Sequence, residues 1–240
     1  MNNIELRSYR YRRLLEALQS AGRKDIHVEE SKLRLESPIV NGKSLYLFNP
    51  KKDPAGAHET TLDRNDVFVP SSWGLLLGLR SKTNGQIEHL YSYVPQNDGT
   101  NPSVHKVGFT SDAAEAIYSG SLQWFVDNAV MISMYPTEKF KKVPETQGLF
   151  LLNSENAAVN EGIQSEWAMD DVLQTIIPRL IIAGTRDHKI QVQFDAAGLT
   201  FPVTEGYEPY LCLYMDGFLI KGGCEYINGV NAFGDVAGQW

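Results

Sequence analysis

The sequence predicts a mainly β protein: an antiparallel β-sandwich or jelly roll with an N-terminal helix and one internal helix. Three observations support this class. Runs of alternating apolar and polar residues, typical of half-buried strands, recur along the chain. Turn signals separate these runs at short intervals, as they do in sandwiches and barrels. Strands and helices do not alternate in the way that a parallel sheet requires.

The chain divides into a helical arm, residues 1–30, and a β domain, residues 31–240. Apolar residues at helical spacing between Ile4 and Ala21 predict an amphipathic helix. Its polar face is rich in arginine, with tyrosines between. The residues that we expect to bind a partner are Arg7, Tyr9, Arg10, Tyr11, Arg12 and Arg13. An acidic surface on another subunit or encapsidated nucleic acid would suit them, and a solvated helix face is the alternative.

The first strands of the β domain are predicted around the turn Asn41-Gly42, which is a strong hairpin signal. Leucines alternate on both sides of this turn, at Leu33–Leu35 and at Leu45–Leu47. A long apolar segment, Val67 to Leu79, follows and contains Pro70. Because a central strand rarely tolerates proline, we expect Pro70 at a strand end or on an edge strand.

A second hairpin is predicted between Ile117 and Gln147, with its turn at Asp127-Asn128. In its first arm Leu122, Trp124 and Val126 share one face, and in its second arm Val130, Ile132 and Met134 do so. Large residues occupy both faces of this hairpin. We therefore expect its own domain to cover one face and a neighbouring molecule to cover the other. The basic turn after it carries Lys139, Lys141 and Lys142, which are either solvated or a contact for an acidic partner.

The remainder of the chain is predicted to be strands with one helix. The helix spans Glu166 to Ile177, with Ser165 as its N-cap and Pro178 after its end. The terminal Trp240 has no obvious core to enter, so we expect it in a pocket of another chain or disordered. The predicted strands are Ile87 to Val94, Arg179 to Ala183, Lys189 to Asp195, Leu199 to Val203 and Tyr210 to Ile220.

Charge is distributed unevenly along the chain. The net charge of −7 argues against a surface that binds nucleic acid or anionic membrane throughout. Residues 1–24 carry six bases and two acids, whereas residues 145–240 carry thirteen acids and four bases. No signal peptide or membrane span is evident, so we expect a soluble protein made in a cytoplasm, with Cys212 and Cys224 reduced.

Catalytic signatures are missing from the sequence. No histidine has a second histidine or cysteine at a metal-ligand spacing, and no glycine-rich stretch matches a phosphate or dinucleotide motif. Asp187-His188 beside Arg186 fits a polar turn better than a catalytic dyad. We therefore expect no catalytic residues, no metal, no cofactor and no enzyme activity.

Three stretches resemble virion structural proteins of bacteriophages. They are LDRNDVFV at Leu62 to Val69, IYSGSL at Ile117 to Leu122 and FKKVPETQ at Phe140 to Gln147, after an N-terminal helix written YRYRRLLEALQ. Their order is similar to that of jelly-roll capsid proteins and of capsid- or neck-associated proteins. The resemblance implies self-assembly, partners that are copies of the chain and other virion proteins, no cofactor, and a place in the virion.

Two other functions fit the sequence. A β-sandwich module that binds carbohydrate or a host surface would use exposed aromatic rings as stacking platforms, with Trp73, Tyr91, Tyr93 and Trp124 as candidates. A hydrolase would need carboxylates or histidines that converge in a pocket, with Glu115 among the scattered carboxylates.

Overall fold

The part of the chain that the structure describes holds ten β-strands and little helix. In this computed structural model it comprises residues 8–9, 11–12, 15–16, 27–51, 59–91, 111–141, 173–176, 180–197 and 206–224. The helix α1 is Ser111–Tyr118, and a 3-10 turn covers Thr137–Phe140. The strands are β1 (Val28–Pro38), β2 (Leu45–Phe48), β3 (Val67–Ser81), β4 (Ile87–Tyr91), β5 (Ser121–Val126), β6 (Ala129–Pro136), β7 (Gln174–Thr175), β8 (Ile182–Ala183), β9 (His188–Gln193) and β10 (Tyr207–Ile220).

These strands form two antiparallel sheets, one of which curls into a half barrel. Sheet A has the order β1-β10-β3-β4, and the short strands β7 and β8 pair with other parts of β3. Sheet B has the order β2-β9-β5-β6. The predicted class, mainly β with antiparallel pairing, is confirmed.

The main hydrophobic core draws side chains from both sheets. Trp73 of β3 in sheet A and Trp124 of β5 in sheet B are both fully buried, with ring centroids 6.0 Å apart. Tyr135 and Phe140 pack edge-on against Trp73 at 4.9 and 5.4 Å. Because burying each aromatic side chain contributes about 2–3 kcal/mol, this cluster is a large part of what holds the two sheets to one core.

The strand β3 is central and buried on both faces, as its continuous apolar sequence requires. Pro70 lies within it, so the prediction that this proline marks a strand end or an edge is wrong. The proline is accommodated because no strand pairs with position 70 on one side of β3. On that side β8 pairs with Val67 and Phe68, and β7 pairs with Ser72 and Trp73. On the other side, the ladder with β10 has a bulge beside Gly217.

The turn at Asn41-Gly42 forms, with Gly42 at a φ of 75° and Lys43 N–H donating to Val40 O at 3.1 Å. It does not make a hairpin, however. β1 pairs with β10 in sheet A, whereas β2 pairs with β9 in sheet B. The turn residues determine where the chain reverses, but they do not determine which strand pairs with β1. β10 pairs with β1 along the whole length of β1.

The helices differ from the prediction. Within the predicted internal helix, Gln174 and Thr175 instead form the strand β7, which pairs with Ser72 and Trp73. Positions 166–172 and 177 of that predicted helix lie outside the described residues. Leu173 and Ile176 are buried, and a short buried run cannot be assigned to helix or strand from periodicity alone. The helix that is described, α1, was not predicted. Each described residue between positions 8 and 16 is helical, but the bounds of the N-terminal helix stay a prediction.

The hairpin of β5 and β6 is confirmed, with Asp127 and Asn128 at φ values of 47° and 68° in its turn. The prediction that Leu122, Trp124 and Val126 share one face of β5 is confirmed, and that face is the buried one. On β6 the expected alternation fails, because Ile132 is buried whereas Val130 and Met134 point outward. Two register shifts between β5 and β6 account for this, since each bulge moves the following side chains to the opposite face.

Candidate interaction surfaces

The arginine-rich segment lies against its own chain. The Tyr11 ring packs on Phe218 with centroids 5.3 Å apart, and its hydroxyl donates a long hydrogen bond to Val28 O at 3.5 Å. Leu15, one helical turn further on, packs against the same apolar cluster. This cluster lies apart from the main core and includes Val67 and Ile220. Two of the described arm residues are therefore anchors to sheet A.

The other predicted contact residues of the arm divide into exposed and undescribed ones. Tyr9 is 46% exposed and Arg12 is exposed as well, so both can reach a partner. The described part of the arm thus has an inner face, Tyr11 and Leu15, and an outer face that includes Tyr9 and Arg12. Arg7, Arg10 and Arg13 lie outside the described residues.

The basic turn after β6 is partly engaged within the chain. Lys141 Nζ lies 2.5 Å from the carboxylate of Glu115, in the middle of α1, and Lys139 Nζ lies 4.9 Å from the Tyr135 ring centroid. Both side chains therefore have intramolecular partners of modest strength, as is usual for exposed pairs. The predicted contacts Lys142 and Trp240 lie outside the described residues.

The stacking platforms proposed for a carbohydrate-binding module are not available at Trp73 and Trp124. Both indoles are fully buried between the sheets and present no ring face to solvent. The Tyr91 side chain and Tyr93 lie outside the described residues. The two tryptophans are core residues, which is the commoner role for tryptophan at alternating strand positions.

The outer face of sheet B is apolar at both edges of the sheet. On the β2 edge, Leu45 and Leu47 are 40% and 52% exposed; near the β6 edge, Val130 and Met134 are 54% and 73% exposed. Phe125 of β5 is half-buried directly opposite Val130 and belongs to the same face. Large apolar side chains at these exposures, gathered on one sheet, mark a contact surface.

Between these edges the face is neutral and polar. The register places Gln191 beside Gln123 and Gln193 beside Ser121, in the middle of the sheet. Within the four strands of sheet B, the one charged side chain apart from the buried His188 is Lys189. Interface centres are depleted in charged residues in the same way. We call this surface, from Leu45 and Leu47 across the glutamines to Met134, the outer face of sheet B.

Part of this face is evident from the sequence alone. The large residues on both sides of the β5–β6 hairpin indicate that a second cover is needed. The contribution of β2 was missed because its leucines were assigned to a hairpin with β1. The signal was present in the sequence: β2, β5 and β6 contain no charged residue.

The outer side of sheet A contains a buried ionic cluster. Arg34 Nε and a Glu36 carboxylate oxygen approach to 2.8 Å without the alignment of a hydrogen bond, and both residues are buried. The backbone N–H of Glu36 donates to a Glu59 carboxylate oxygen at 3.1 Å. Burial raises the pKa of the Glu36 carboxyl, and the Arg34 guanidinium opposes that shift.

Cys212 lies directly across from Glu36 on β10. Burial raises the pKa of its thiol to about 12, so at neutral pH the sulfur is protonated and a poor nucleophile. Within the described ranges, no three His, Cys, Asp or Glu side chains are gathered as a metal ion would need. This arrangement of charges fits a buried ion pair better than a reactive centre.

The turn before β9 is polar at Arg186 and Asp187, as predicted, whereas His188, which was assigned to the same turn, is the buried first residue of β9. Asp127 connects the β5–β6 hairpin to it, because its carboxylate accepts from Asp187 N–H at 2.8 Å and lies 2.5 Å from Arg186 Nε. The backbone hydrogen bond from Asp187, with the Arg186 side chain, lowers the pKa of Asp127. His188 behind it is buried, and no nucleophile among the described residues pairs with it.

Comparisons with known proteins return no match: no protein-family model and no curated protein matches this chain. No helix in the described part of the chain is both long and apolar enough to cross a membrane. The class that the fold defines is therefore a mainly β protein of two antiparallel sheets. Among the described residues, two surface features are prominent: the arm, with Tyr9 and Arg12 outward, and the outer face of sheet B, whose one charge is Lys189.

Proposed function

We propose that this chain is a structural subunit of a bacteriophage particle, which self-assembles or docks on the capsid or neck through its basic N-terminal arm and surface loops. The observation that carries the proposal is the two-sided arm. Tyr11 and Leu15 hold the segment on sheet A, while Tyr9 and Arg12 face outward. A segment fixed to its own domain that presents an aromatic ring and an arginine on its outer side is suited to docking on an acidic surface.

The architecture we propose is an antiparallel β-sandwich of the jelly-roll type. A single core cluster shared by both sheets supports it, because face-to-face sheets bury their inner sides against each other. The three stretches similar to virion proteins point to the same architecture. Such scaffolds carry their contacts on loops and arms rather than in a pocket.

The partner we propose for the arm is another copy of the chain or another virion protein. Residues 145–240 supply nine more acids than bases, while the arm region supplies four more bases than acids. A basic patch on one subunit that meets an acidic patch on the next is a heterologous contact, which builds rings or lattices. Packaged nucleic acid is the other partner that arginines would fit. The protein would act in the virion without a cofactor after synthesis in the host cytoplasm.

The first test asks whether the chain is part of the particle. We expect mass spectrometry of gradient-purified particles to detect it at a fixed ratio to the main shell protein. The arm is then tested with Arg10→Gln, Arg12→Gln and Arg13→Gln combined, because these changes leave the anchors Tyr11 and Leu15 in place. We expect the triple variant to fold normally and to be lost from particles, since its charge attraction to an acidic neighbour is removed.

A matched control removes the same number of exposed charges elsewhere, with Lys32→Gln, Arg64→Gln and Lys82→Gln. This control should enter particles as the wild type does. Assembly through the arm should also weaken as salt rises, because exposed charges are screened. Particles that lack the chain altogether, or that accept the arm variant at wild-type levels, would contradict the proposal.

A further inference from the structure

The outer face of sheet B exposes large apolar side chains and carries one charge. The function proposed for the arm does not explain either property. Leu47, Val130 and Met134 are each more than half exposed, and none belongs to the apolar cluster on which the arm packs. Water contact with these side chains is unfavourable by about 25 cal/mol per Å² of apolar area. A partner that covers them would remove that penalty.

The edges of sheet B are not the place for this partner. Among the described strands, β6 is one edge, where two register shifts disturb the pairing and Pro136 ends the strand without an N–H. β2 is the other edge and is only four residues long. Bulges, proline and short length are devices that protect an edge from accepting another strand. The face, rather than either edge, is therefore the available contact.

The chemistry of the face selects its partner. A single charge, Lys189, cannot hold a polyanion, so nucleic acid and anionic lipid surfaces do not fit. A strongly charged protein would have to bury its own charges against neutral side chains, which is unfavourable. What fits is a surface that is also apolar with amide groups.

The face is complementary to itself. Gln191 and Gln193 have no side-chain hydrogen bond in the described structure, and each amide carries both a donor and an acceptor. Two copies of the face can therefore pair amide to amide while their leucines, valine and methionine interdigitate. No cluster of like charges opposes this contact. Two copies of the basic arm placed against each other, in contrast, would repel.

We propose that the outer face of sheet B is the contact between two copies of this chain, packed face to face about a twofold axis. Strand spacing and length give a face of about 19 Å by about 20 Å, or on the order of 400 Å² of projected area per copy. Two such faces together give about 800 Å², which is less than the roughly 1,200 Å² at the lower end of stable specific interfaces. The dimer should therefore be weak, and it should dissociate on dilution.

This contact names one interface of the proposed assembly, and in that sense it rests on the proposed function, but its physical basis is separate. The arm contact depends on charge and weakens with salt. The sheet contact is mainly apolar, with one charge per copy at Lys189, so salt should leave it intact, and sulfate should strengthen it. Salt dependence therefore distinguishes the two contacts in a single preparation.

The test is sedimentation velocity over a roughly hundredfold range of concentration, at low and high salt. We expect the wild type to change from monomer to dimer at high salt, where the arm contact is screened. Leu47→Glu with Met134→Glu should stay monomeric, and so should Leu47→Lys with Met134→Lys, because like charges then meet across the axis. A mixture of the two double variants should form dimers again, which a misfolded variant could not do.

The control is Val40→Glu, an equally exposed apolar-to-acid change in the turn before β2, whose backbone bonds the inward-facing Tyr46. It should dimerise as the wild type does. A wild type that is monomeric at every concentration, or double variants that remain dimeric, would overturn the proposal. If the chain dimerises but is missing from particles, the sheet contact is supported and the phage function is refuted. If the chain is found in particles but is monomeric, the phage function is supported and the sheet contact is refuted.

Discussion

His188 is held neutral by its surroundings. Ala183 N–H donates to His188 Nε2 at 3.2 Å, and the Trp124 indole N–H points at Nδ1 from 3.4 Å. A neutral ring has one acceptor nitrogen and can accept from one of these two donors, whereas a protonated ring has none and would turn an N–H toward both. Burial, together with the positive charge of Lys51, lowers the pKa of His188 to about 4.

The stability of the fold should therefore fall in acid through this residue. In the unfolded chain a histidine titrates near pH 6.5, so between about pH 6.5 and pH 4 the unfolded state binds the extra proton. The stabilisation is complete above pH 6.5 and is lost as the pH falls toward 4. We expect a loss of up to about 3 kcal/mol, read from the denaturant midpoint at each pH.

His188→Gln separates this effect from the titration of carboxylates. Glutamine keeps an acceptor for Ala183 N–H and does not titrate, so the variant should lose less stability than the wild type over the same interval. The exposed His27→Gln is the matched control and should follow the wild type. Equal pH slopes for His188→Gln and the wild type would show that His188 is not the residue responsible.

Single residues also show how far sequence reasoning reaches. That Leu122, Trp124 and Val126 share one face follows from alternation and was predicted correctly, because a local period decides it. The contact of Asp127 with Arg186 could not be predicted. The two residues are 59 positions apart, and only the packing of the hairpin turn on the β8–β9 turn brings them together.

At the scale of elements, the bulge where β10 meets β3 requires glycine. A Cβ on Gly217 would lie 2.2 Å from Val69 O and 2.8 Å from Pro70 Cα, both backbone atoms. Gly217 does not have a positive φ, so the requirement is space and not conformation. We expect Gly217→Ala to destabilise the fold by about 2–3 kcal/mol, measured by denaturant unfolding.

Gly42→Ala is the comparison for this variant. Gly42 has a positive φ, but a Cβ at this position would meet nothing within 4 Å, so alanine there should introduce only backbone strain of about 1 kcal/mol. The order of the two effects is what matters. Equal losses would mean that β3 and β10 separate easily at the bulge.

Elements whose signals are local were predicted, and those that depend on partners were not. The β5–β6 hairpin and β10 follow from short-range patterns. The extended state of β7 does not, because Gln174–Thr175 is held by pairing with Trp73, about a hundred positions away. The same is true of β3, whose internal proline is tolerated only because its neighbours change at that point.

At the scale of the whole molecule, the order of strands in the sheets was beyond prediction. Composition and turn spacing indicate the mainly β class, and charge counts indicate the basic arm. Nothing local, however, states that β1 pairs with β10 along its full length, from Val28 with Ile220 to Pro38 with Tyr210. The exposed face of sheet B depends on the same information, since it exists only once β2 lies beside β9.

The central place of β10 yields a prediction for the whole fold. It lies between β1 and β3, so a chain ended at residue 206 would leave both strands without their long partner. Such a loss should exceed the roughly 5–15 kcal/mol that a domain has in total. We expect the truncated chain to lack near-UV circular dichroism from its tryptophans and to regain it when a peptide of residues 207–224 is added. A truncated chain with a native spectrum would show that β10 is dispensable.

The pairing of β1 with β10 also has a consequence for the ribosome. The first strand of the sheet is synthesised early, yet its partner emerges only after about 170 more residues, which takes roughly 10 to 30 s at usual translation rates. Until then the nascent chain carries β1 without its partner, and β3 can pair with β4 at Leu77 to Arg80 but lacks β10 along its length. Translation speed and chaperone supply, rather than the stability of the finished protein, should therefore set how much folded product a cell obtains.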